Sequence, residues 1–576
     1  MGLSYSLCCD FLYELRWLVY PLSILLAIHS YGCLSVRSTI LGSLCLGMVL
    51  AGVVFKSVIS VSVSLYVVLV VALTIYVLSL FLSLKLSLNF IHYAAKIAAL
   101  FFFVGVVEIL VSLSGWPLSF SVLFIDVPLY RSLLPYVGSE ISFSLLVVLA
   151  FVGQKSKALF FGFFLLLFVS FEGIRADIYK IVNVALLQTN LSQEVVSFPG
   201  LSGNFELWEN QISDLRSELE SSNANLIVFP ESAMLGYGEK ASPLVVNIIS
   251  NFVGHLVLSH HYVDEPQRGL VSMVKLWGKD GTLLGRHEKT SLIPFVEDEL
   301  VAGVGGQFYL EGTDFSVFVC SEIFNVYSTR ASLASSGFGV SVINGASVFD
   351  SVLPELHLNV ERVRSLESHK SIVRSSNSGF TASIDYNGNI LSSLPVGKVG
   401  IIETAVSVSD GSFFSKWYLN IHATFFIGFF IFLLLNRNVF QYRSAGVCIF
   451  PRLSFFVLFL APWGLYKDSN LSRESPYSIH YPADSTGFAF RQLGVSSRWA
   501  DEYFENYLKK EVISSPDYFL SSGRGVAVIR SMDGLMHIID RDGGYFIVEK
   551  QGRISRMTIQ ELEDVRVSEF LWISYL

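Results

Sequence analysis

Long apolar runs fill the first third of the chain and return near residue 420. Trp17–Val36, Ser38–Phe55, Ser57–Leu84 and Ala94–Leu113 are each long enough, or nearly so, to cross a hydrocarbon core about 30 Å thick. Two shorter runs, Ile141–Gly153 and Ala158–Phe171, predict a fifth and a sixth span, and Tyr418–Leu435 predicts a seventh. The apolar run Leu453–Tyr466 fits either an eighth span or an interfacial helix.

Residues 176–415 follow a different pattern, with short β-branched runs separated by turn residues. Strands are predicted at Val182–Leu187, Asn225–Phe229, Leu256–Leu258, Phe315–Val319 and Val340–Ile343, and helices at Leu207–Glu220 and Pro354–His369. In the second helix Leu356, Val360, Val363 and Leu366 form one apolar stripe, and Pro354 suits a first turn. Lys279-Asp-Gly-Thr282 and Tyr386-Asn-Gly-Asn389 carry the dipeptides of tight hairpins. Strands, helices and hairpins mixed in this way predict a layered α/β sandwich.

The predicted organisation is a transmembrane helical bundle (1–175), an extracytoplasmic α/β domain (176–415) and a C-terminal transmembrane helix (416–437). A further span or interfacial helix (438–466) and a small α/β module of unknown fold (467–576) follow, the latter with strands at Ser531–Asp542 and Gly544–Ile554.

Composition agrees with a membrane protein: 52% of residues are hydrophobic and only 15% charged, against roughly 25% charged in soluble domains. The net charge of −8 supplies no basic stripe, so nucleic acid is not an expected partner. Arg37, Lys85, Lys155, Lys157, Arg437 and Arg443 fall in alternate loops, which the positive-inside rule assigns to the cytoplasm, with Lys56 and Arg131 on the other side. The α/β domain then faces outward, into the periplasm of a two-membrane bacterium. Asp10, Glu14 and Arg16 interrupt any early apolar stretch, so the first run reads as a retained span rather than a signal peptide. Lys96 and Glu108 lie inside one predicted span but about 18 Å apart along a helix, too far to pair directly. They are expected to have other structural partners or to line a lipid-headgroup pocket.

Of six cysteines, Cys320 alone lies in the globular region, so no bridge can form within that domain. It ends the apolar run Phe315–Cys320. A thiol attacks as thiolate and needs a base or positive potential beside it. A buried carboxylate can be that base, and the oxyanion formed on an attacked carbonyl needs fixed donors. Glu231, closing the run Asn225–Glu231, and Lys289 are candidates for these roles, although spacing alone does not select them.

The flanking residues are more specific. Pro230-Glu-Ser-Ala233, Lys289-Thr-Ser-Leu-Ile-Pro-Phe-Val-Glu297 and Cys320-Ser-Glu322 resemble the nitrilase (carbon–nitrogen hydrolase) superfamily, and more closely its membrane-bound branch, the apolipoprotein N-acyltransferases. Gly115-Trp-Pro117, Leu134–Glu140, Gln188-Thr-Asn190, the helix bearing His357, Arg362, Arg364 and Glu367, and Arg374–Thr381 extend the likeness over about 17–435. The resemblance implies a nitrilase-like α-β-β-α sandwich with Glu231 as general base, Lys289 as oxyanion stabiliser and Cys320 as nucleophile. Glu297 is then expected to orient Lys289 or the incoming amine, and Glu322 to support the cysteine loop.

The implied reaction is ping-pong: a phospholipid acylates Cys320, and the amine of a diacylated apolipoprotein takes the acyl chain, with no metal or soluble cofactor. Partners would be the phospholipid donor, the apolipoprotein acceptor and membrane lipids, at a bacterial inner membrane. Departures from the family pattern are Ser321 in place of a tyrosine, the altered Asn344–Phe349 segment, a short stretch between Glu297 and Cys320, and the added residues 467–576. Two alternatives are a membrane-tethered amidase, in which water takes the thioester, and a non-catalytic scaffold.

Overall fold

The computed structural model describes residues 34–436 with breaks at 91, 114–118, 168–176, 193–221 (Leu215 and Leu219 excepted), 234–255, 266–267, 279–281, 299, 311 and 349–350; Ile28 and six short strands between Thr486 and Tyr575 complete it. Most of the predicted span Trp17–Val36, most of the helix Leu207–Glu220 and all of Leu453–Tyr466 lie outside these residues.

The membrane part comprises α1 (Val36–Val54), α2 (Val63–Ser87), α3 (Tyr93–Leu113), α4 (Pro128–Gly153), α5 (Lys157–Leu167) and, after the α/β domain, α8 (Phe413–Leu435). Helices α2, α3, α4 and α8 are each long and apolar enough to cross a membrane. Serine caps open three of these helices: Ser35, Ser62 and Ser412 accept from the backbone N–H three residues on.

Three predicted span starts shift, the last of them from Tyr418 to Phe413. The span expected from Ser57 begins at Val63, because Lys56–Ser60 forms a 3-10 turn first. The short span expected at Ile141–Gly153 is the second half of α4, which starts at Pro128. Pro135 and Gly138 interrupt the apolar pattern of its first half, and Gly138 kinks the helix at φ 76°. That kink has a packing reason: a Cβ at Gly138 would overlap the ring of Phe414 from α8.

The α/β domain is a sandwich of two six-stranded sheets. The first has the order β12-β1-β2-β3-β4-β5, from β12 (Gly400–Ser409), β1 (Ile178–Gln188), β2 (Leu226–Val228), β3 (Leu256–Glu265), β4 (Gly269–Trp277) and β5 (Leu283–Glu288). The second runs β11-β10-β9-β8-β7-β6, from β11 (Ile390–Leu394), β10 (Thr381–Ile384), β9 (Ile372–Ser376), β8 (Phe338–Ile343), β7 (Thr313–Val319) and β6 (Gln307–Leu310). Each sheet has a parallel centre (β1-β2-β3 and β7-β8-β9) with antiparallel strands outside it. Val184, Leu186, Val228, Val317, Val319 and Val340 meet between the sheets.

Helix α6 (Val326–Ala334) and helix α7 (Leu353–Ser368) join this sandwich to the membrane helices. Val360, Val363 and Leu366 of α7 share one apolar core with Val104, Phe124, Tyr130 and Phe143 of the membrane part. Leu356, the fourth member of the stripe, packs instead with the cluster around α1 and α2, as do Ile293 and Val296. Charges lock the same seam. Arg330 of α6 grips Glu140 of α4 with two bonds of 2.9 and 2.8 Å and reaches Glu367 of α7 at 2.7 Å, all three buried. Arg362 pairs with Asp126 at 2.7 Å.

Inside the membrane part, the fully buried Glu108 accepts from the hydroxyls of Tyr76 and Ser119, so structural partners, not Lys96, satisfy it. The six C-terminal strands form a separate sheet; of the expected strands Ser531–Asp542 and Gly544–Ile554 the described residues are Met536–Asp540, Tyr545–Val548 and Ile554, all in strands.

Candidate active site

Three strand ends converge. Glu231 follows β2, Lys289 follows β5 and Cys320 follows β7, so the candidate groups sit just beyond the carboxyl ends of strands from both sheets. This is where α/β sheets commonly bind ligands, because backbone and side chains fan out there without neighbours.

Lys289 is fully buried and lies between two carboxylates, with its Nζ 2.6 Å from Glu297 Oε1 and 3.6 Å from Glu231 Oε1. Burial opposes its charge, but Glu297, Glu231 and Cys320 outweigh that and hold the ammonium well above its ordinary range. Burial pushes the Glu231 carboxyl up and Glu297 adds to this, against the pull of Lys289 and of the Asn344 backbone N–H, 2.8 Å from Oε2. A raised carboxyl suits a base that must both take and return a proton near neutral pH. The Cys320 thiol bonds to Glu231 and is itself pushed up, by burial first and then by Glu231. It therefore rests protonated, with the Glu231 carboxylate as the group placed to accept its proton.

The expected supporting acids have different surroundings. Glu297 accepts from Lys289 and, at 2.7 Å, from the backbone N–H of Ile293, so it fixes the lysine and its loop together. Glu322 does not reach Lys289; it is the hub of the cysteine turn. It accepts from Thr290 N–H and Oγ1 at 2.7 and 2.8 Å, from Val319 N–H at 2.8 Å, and faces His287 Nε2 at 2.9 Å. Among the described residues, no group of three or more His, Cys, Asp or Glu could hold a metal ion.

The turns carrying these groups are strained. Ser232 (φ 61°), Phe295 (φ 63°) and Cys320 (φ 48°) are non-glycine residues in the left-handed region, a cost of order 1 kcal/mol or more each. Three buried histidines that the sequence reading left without a role brace this area. His260 Nδ1 accepts the Ser232 N–H at 3.2 Å, His287 holds Glu322, and His357 Nε2 donates to the Cys320 carbonyl at 3.1 Å. No sequence spacing links these histidines to one another, so only the fold reveals them.

Residues 183–413 match the Carbon-nitrogen hydrolase family. Over 269 residues the chain is 25% identical to an apolipoprotein N-acyltransferase of Geobacter metallireducens, covering 42% of this chain and 51% of that protein. It is similar to the enzymes of that name from Haemophilus ducreyi (24% identical; 40% of this chain, 50% of that one) and Pseudomonas aeruginosa strain LESB58 (25%; 40% and 49%). The matched region thus spans about half the length of each relative. Solved structures similar to it include a branch 10 nitrilase-superfamily protein of Saccharomyces cerevisiae (15% identical, TM-score 0.33; 40% of this chain, 91% of that one). An amidase from Nesterenkonia sp. is also similar (15%, TM-score 0.31; 44% and 97%). Residues 183–413 thus match the carbon-nitrogen hydrolase family, in a chain similar to the apolipoprotein N-acyltransferases.

Proposed function

We propose that the protein is an acyltransferase that moves an acyl chain from a phospholipid to the amino terminus of a diacylated lipoprotein through a thioester on Cys320. The observation that carries this reading is a buried Cys–Glu–Lys site whose supporting loop, Ile293–Val296, packs on membrane helices. In the first half-reaction Glu231 takes the thiol proton as sulfur attacks the ester carbonyl, and Lys289 faces the developing oxyanion. The tetrahedral intermediate expels the lysophospholipid alkoxide, which receives the proton from Glu231. In the second half-reaction the α-amine of the diacylglyceryl-cysteine attacks the thioester and yields its proton to Glu231. Cys320 leaves as thiolate and takes that proton from Glu231, so both groups regain their starting protonation: the thiol's first proton has left on the lysophospholipid, and the amine's proton replaces it.

The orientation has its own support. Lys85 of α2 donates to the Leu34 carbonyl just before α1, and Lys155 lies over the ring of Tyr93 at 5.0 Å, so these cations cluster at one end of the bundle. The α/β domain caps the opposite end, where Asp126 meets Arg362. By the positive-inside rule the cationic end is cytoplasmic and the catalytic domain periplasmic, with the bundle in the inner membrane.

The test is incubation of the purified full-length protein with phospholipid and a synthetic diacylated lipopeptide. Triacylated peptide and a hydroxylamine-labile acyl group on Cys320 are expected, and Cys320→Ser should lose both while still inserting in the membrane. Release of free fatty acid with no triacylated product would replace this reading with a tethered hydrolase. Full activity in Cys320→Ser would remove the thioester altogether.

A further inference from the structure

The Cys320 carbonyl is held by a chain of buried groups outside the Glu–Lys–Cys set. His357 Nε2 lies 3.1 Å from that carbonyl oxygen, and only a protonated Nε2 can donate to it. The other ring nitrogen, Nδ1, lies 2.6 Å from Nη1 of Arg374. Glu361 Oε1 lies farther from Nδ1, at 3.4 Å, and accepts from Arg374; a guanidinium can only donate, so Nδ1 accepts from the nearer Nη1, and its contact and that of Nε2 together fix the Nε2–H tautomer. Arg374 is itself held: Nη1 reaches Glu361 Oε1 at 3.1 Å and Nε donates to the Phe380 carbonyl at 2.7 Å. Arg374 and Glu361 are buried, and Phe324 sets its ring edge-on to the imidazole at 4.7 Å between centroids. Burial and the Arg374 charge push the imidazole below its ordinary value, which keeps it neutral.

The contact falls at a strained point. Cys320 takes φ 48°, a conformation that needs outside support in a non-glycine residue. The carbonyl and N–H of a trans peptide point in opposite directions, so tying the Cys320 carbonyl to α7 fixes the whole Cys320–Ser321 peptide plane. The thiol direction follows from that backbone. We propose that His357 is a positioning residue for the nucleophile, its Nε2–H holding the Cys320 peptide in the left-handed conformation that sets the thiol against Glu231, with Arg374 and Glu361 locking the ring.

This inference rests on the thioester reading and is tested apart from any lipoprotein. The full-length protein is acylated by a short-chain p-nitrophenyl ester, and the limiting rate of the Cys320-dependent burst and the half-saturating ester concentration are measured separately. His357→Gln carries an amide N–H to the Nε2 position; His357→Leu cannot donate. The Leu variant should acylate about 10- to 100-fold more slowly with half-saturation unchanged within about twofold, the scale expected for a misplaced reacting atom. The Gln variant should stay within about threefold of wild type. Should the Leu variant not fold, His357→Asn, polar but too short to reach the carbonyl, should show the same loss.

Equal losses in Gln, Leu and Asn would mean that ring packing, not the hydrogen bond, is what matters. A full burst rate in Leu or Asn would remove the positioning role while leaving the thioester intact. A wild-type burst no larger than that of Cys320→Ser would remove both.

Discussion

Glu297→Gln tests the electrostatic logic of the site more sharply than removal of the nucleophile. Glu297 is 2.6 Å from the Lys289 ammonium and Glu231 is 3.6 Å from it. At an effective dielectric of about 20, Coulomb's law gives gross attractions of about 6 and about 5 kcal/mol. Glu297 is thus the lysine's main anchor, and Glu231 keeps a charge that is less tightly spoken for. The substitution preserves shape but removes the nearer anion. It also weakens the bond from Ile293 N–H, a half-buried donor whose loss costs about 1 kcal/mol.

Lys289 should then settle on Glu231, away from where an oxyanion would form. Losing one such donor lowers the limiting rate by about 10²-fold. The pH profile supplies the discriminating readout. Glu297 raises the Glu231 carboxyl through like charge, and Lys289 lowers it. Removing the first and tightening the second act in the same direction, so the acid limb of the rate profile should move to lower pH while the plateau falls. The assay is acyl transfer from phospholipid to diacylated lipopeptide between about pH 5 and pH 9, a range that brackets the acid limb. An acid limb that stays put or moves up, or a plateau within threefold of wild type, would refute the reasoning.

Two further predictions concern stability. Arg330→Met removes the cation shared by Glu140 and Glu367 and should cost about 3 kcal/mol in a denaturant titration in detergent, because two buried carboxylates lose their shared partner while Arg364 still holds Glu367. Adding Glu140→Met should recover part of that loss, and strict additivity of the two would mean they do not interact. For His287 and Glu322, burial opposes both charges, yet the pair holds the imidazole above and the carboxyl below their ordinary values. Stability from a raised histidine is complete below its unfolded value and lost as pH rises through the folded one. Stability from a depressed carboxyl is present above its unfolded value and lost as pH falls through the folded one. The pair therefore contributes most between about pH 4 and 6.5, and Glu322→Gln should lower the unfolding midpoint most in that window. A uniform drop across the whole pH range would show that the backbone bonds to Glu322, not the charges, provide the effect.

The fold was legible where one physical rule governed a segment. Ala94–Leu113 is apolar but for Lys96 and Glu108 among its long side chains, and its helix matches to within a residue. The valine-rich run before Cys320 is a strand that is buried from Phe315 onward, and composition alone predicts that. Where two rules competed, the sequence misled. Pro135 and Gly138 argue for a break before Ile141, but Phe414, nearly 280 residues away, fills the notch that a glycine leaves. The helix continues because that packing makes the kink useful. Helix α7 shows the same limit: its stripe Val360, Val363 and Leu366 was readable, while His357, Glu361, Arg362, Arg364 and Glu367 are equally buried. Periodicity assigns charged residues to the solvent side. Here the partners are Arg374, Asp126 and Arg330, and no local pattern announces them.

The site divides along the same line. Residues that perform chemistry recur in short motifs, because a nucleophile needs a strand end and a turn, and those constrain their neighbours in sequence. Residues that hold the turns have no such constraint, since any donor on any nearby element serves. Hence Glu231, Lys289 and Cys320, which the fold brings together, could be named from the chain as candidates, whereas the braces at Ser232, at Glu322 and at the Cys320 carbonyl could not. Glu322 marks the boundary between the two classes. It belongs to the motif by position, but its four contacts all go to the scaffold of the turn and none to Lys289. A motif thus carries support as well as chemistry, and geometry is what separates them: a carboxylate with all its acceptor sites filled by fixed donors has none left for a substrate.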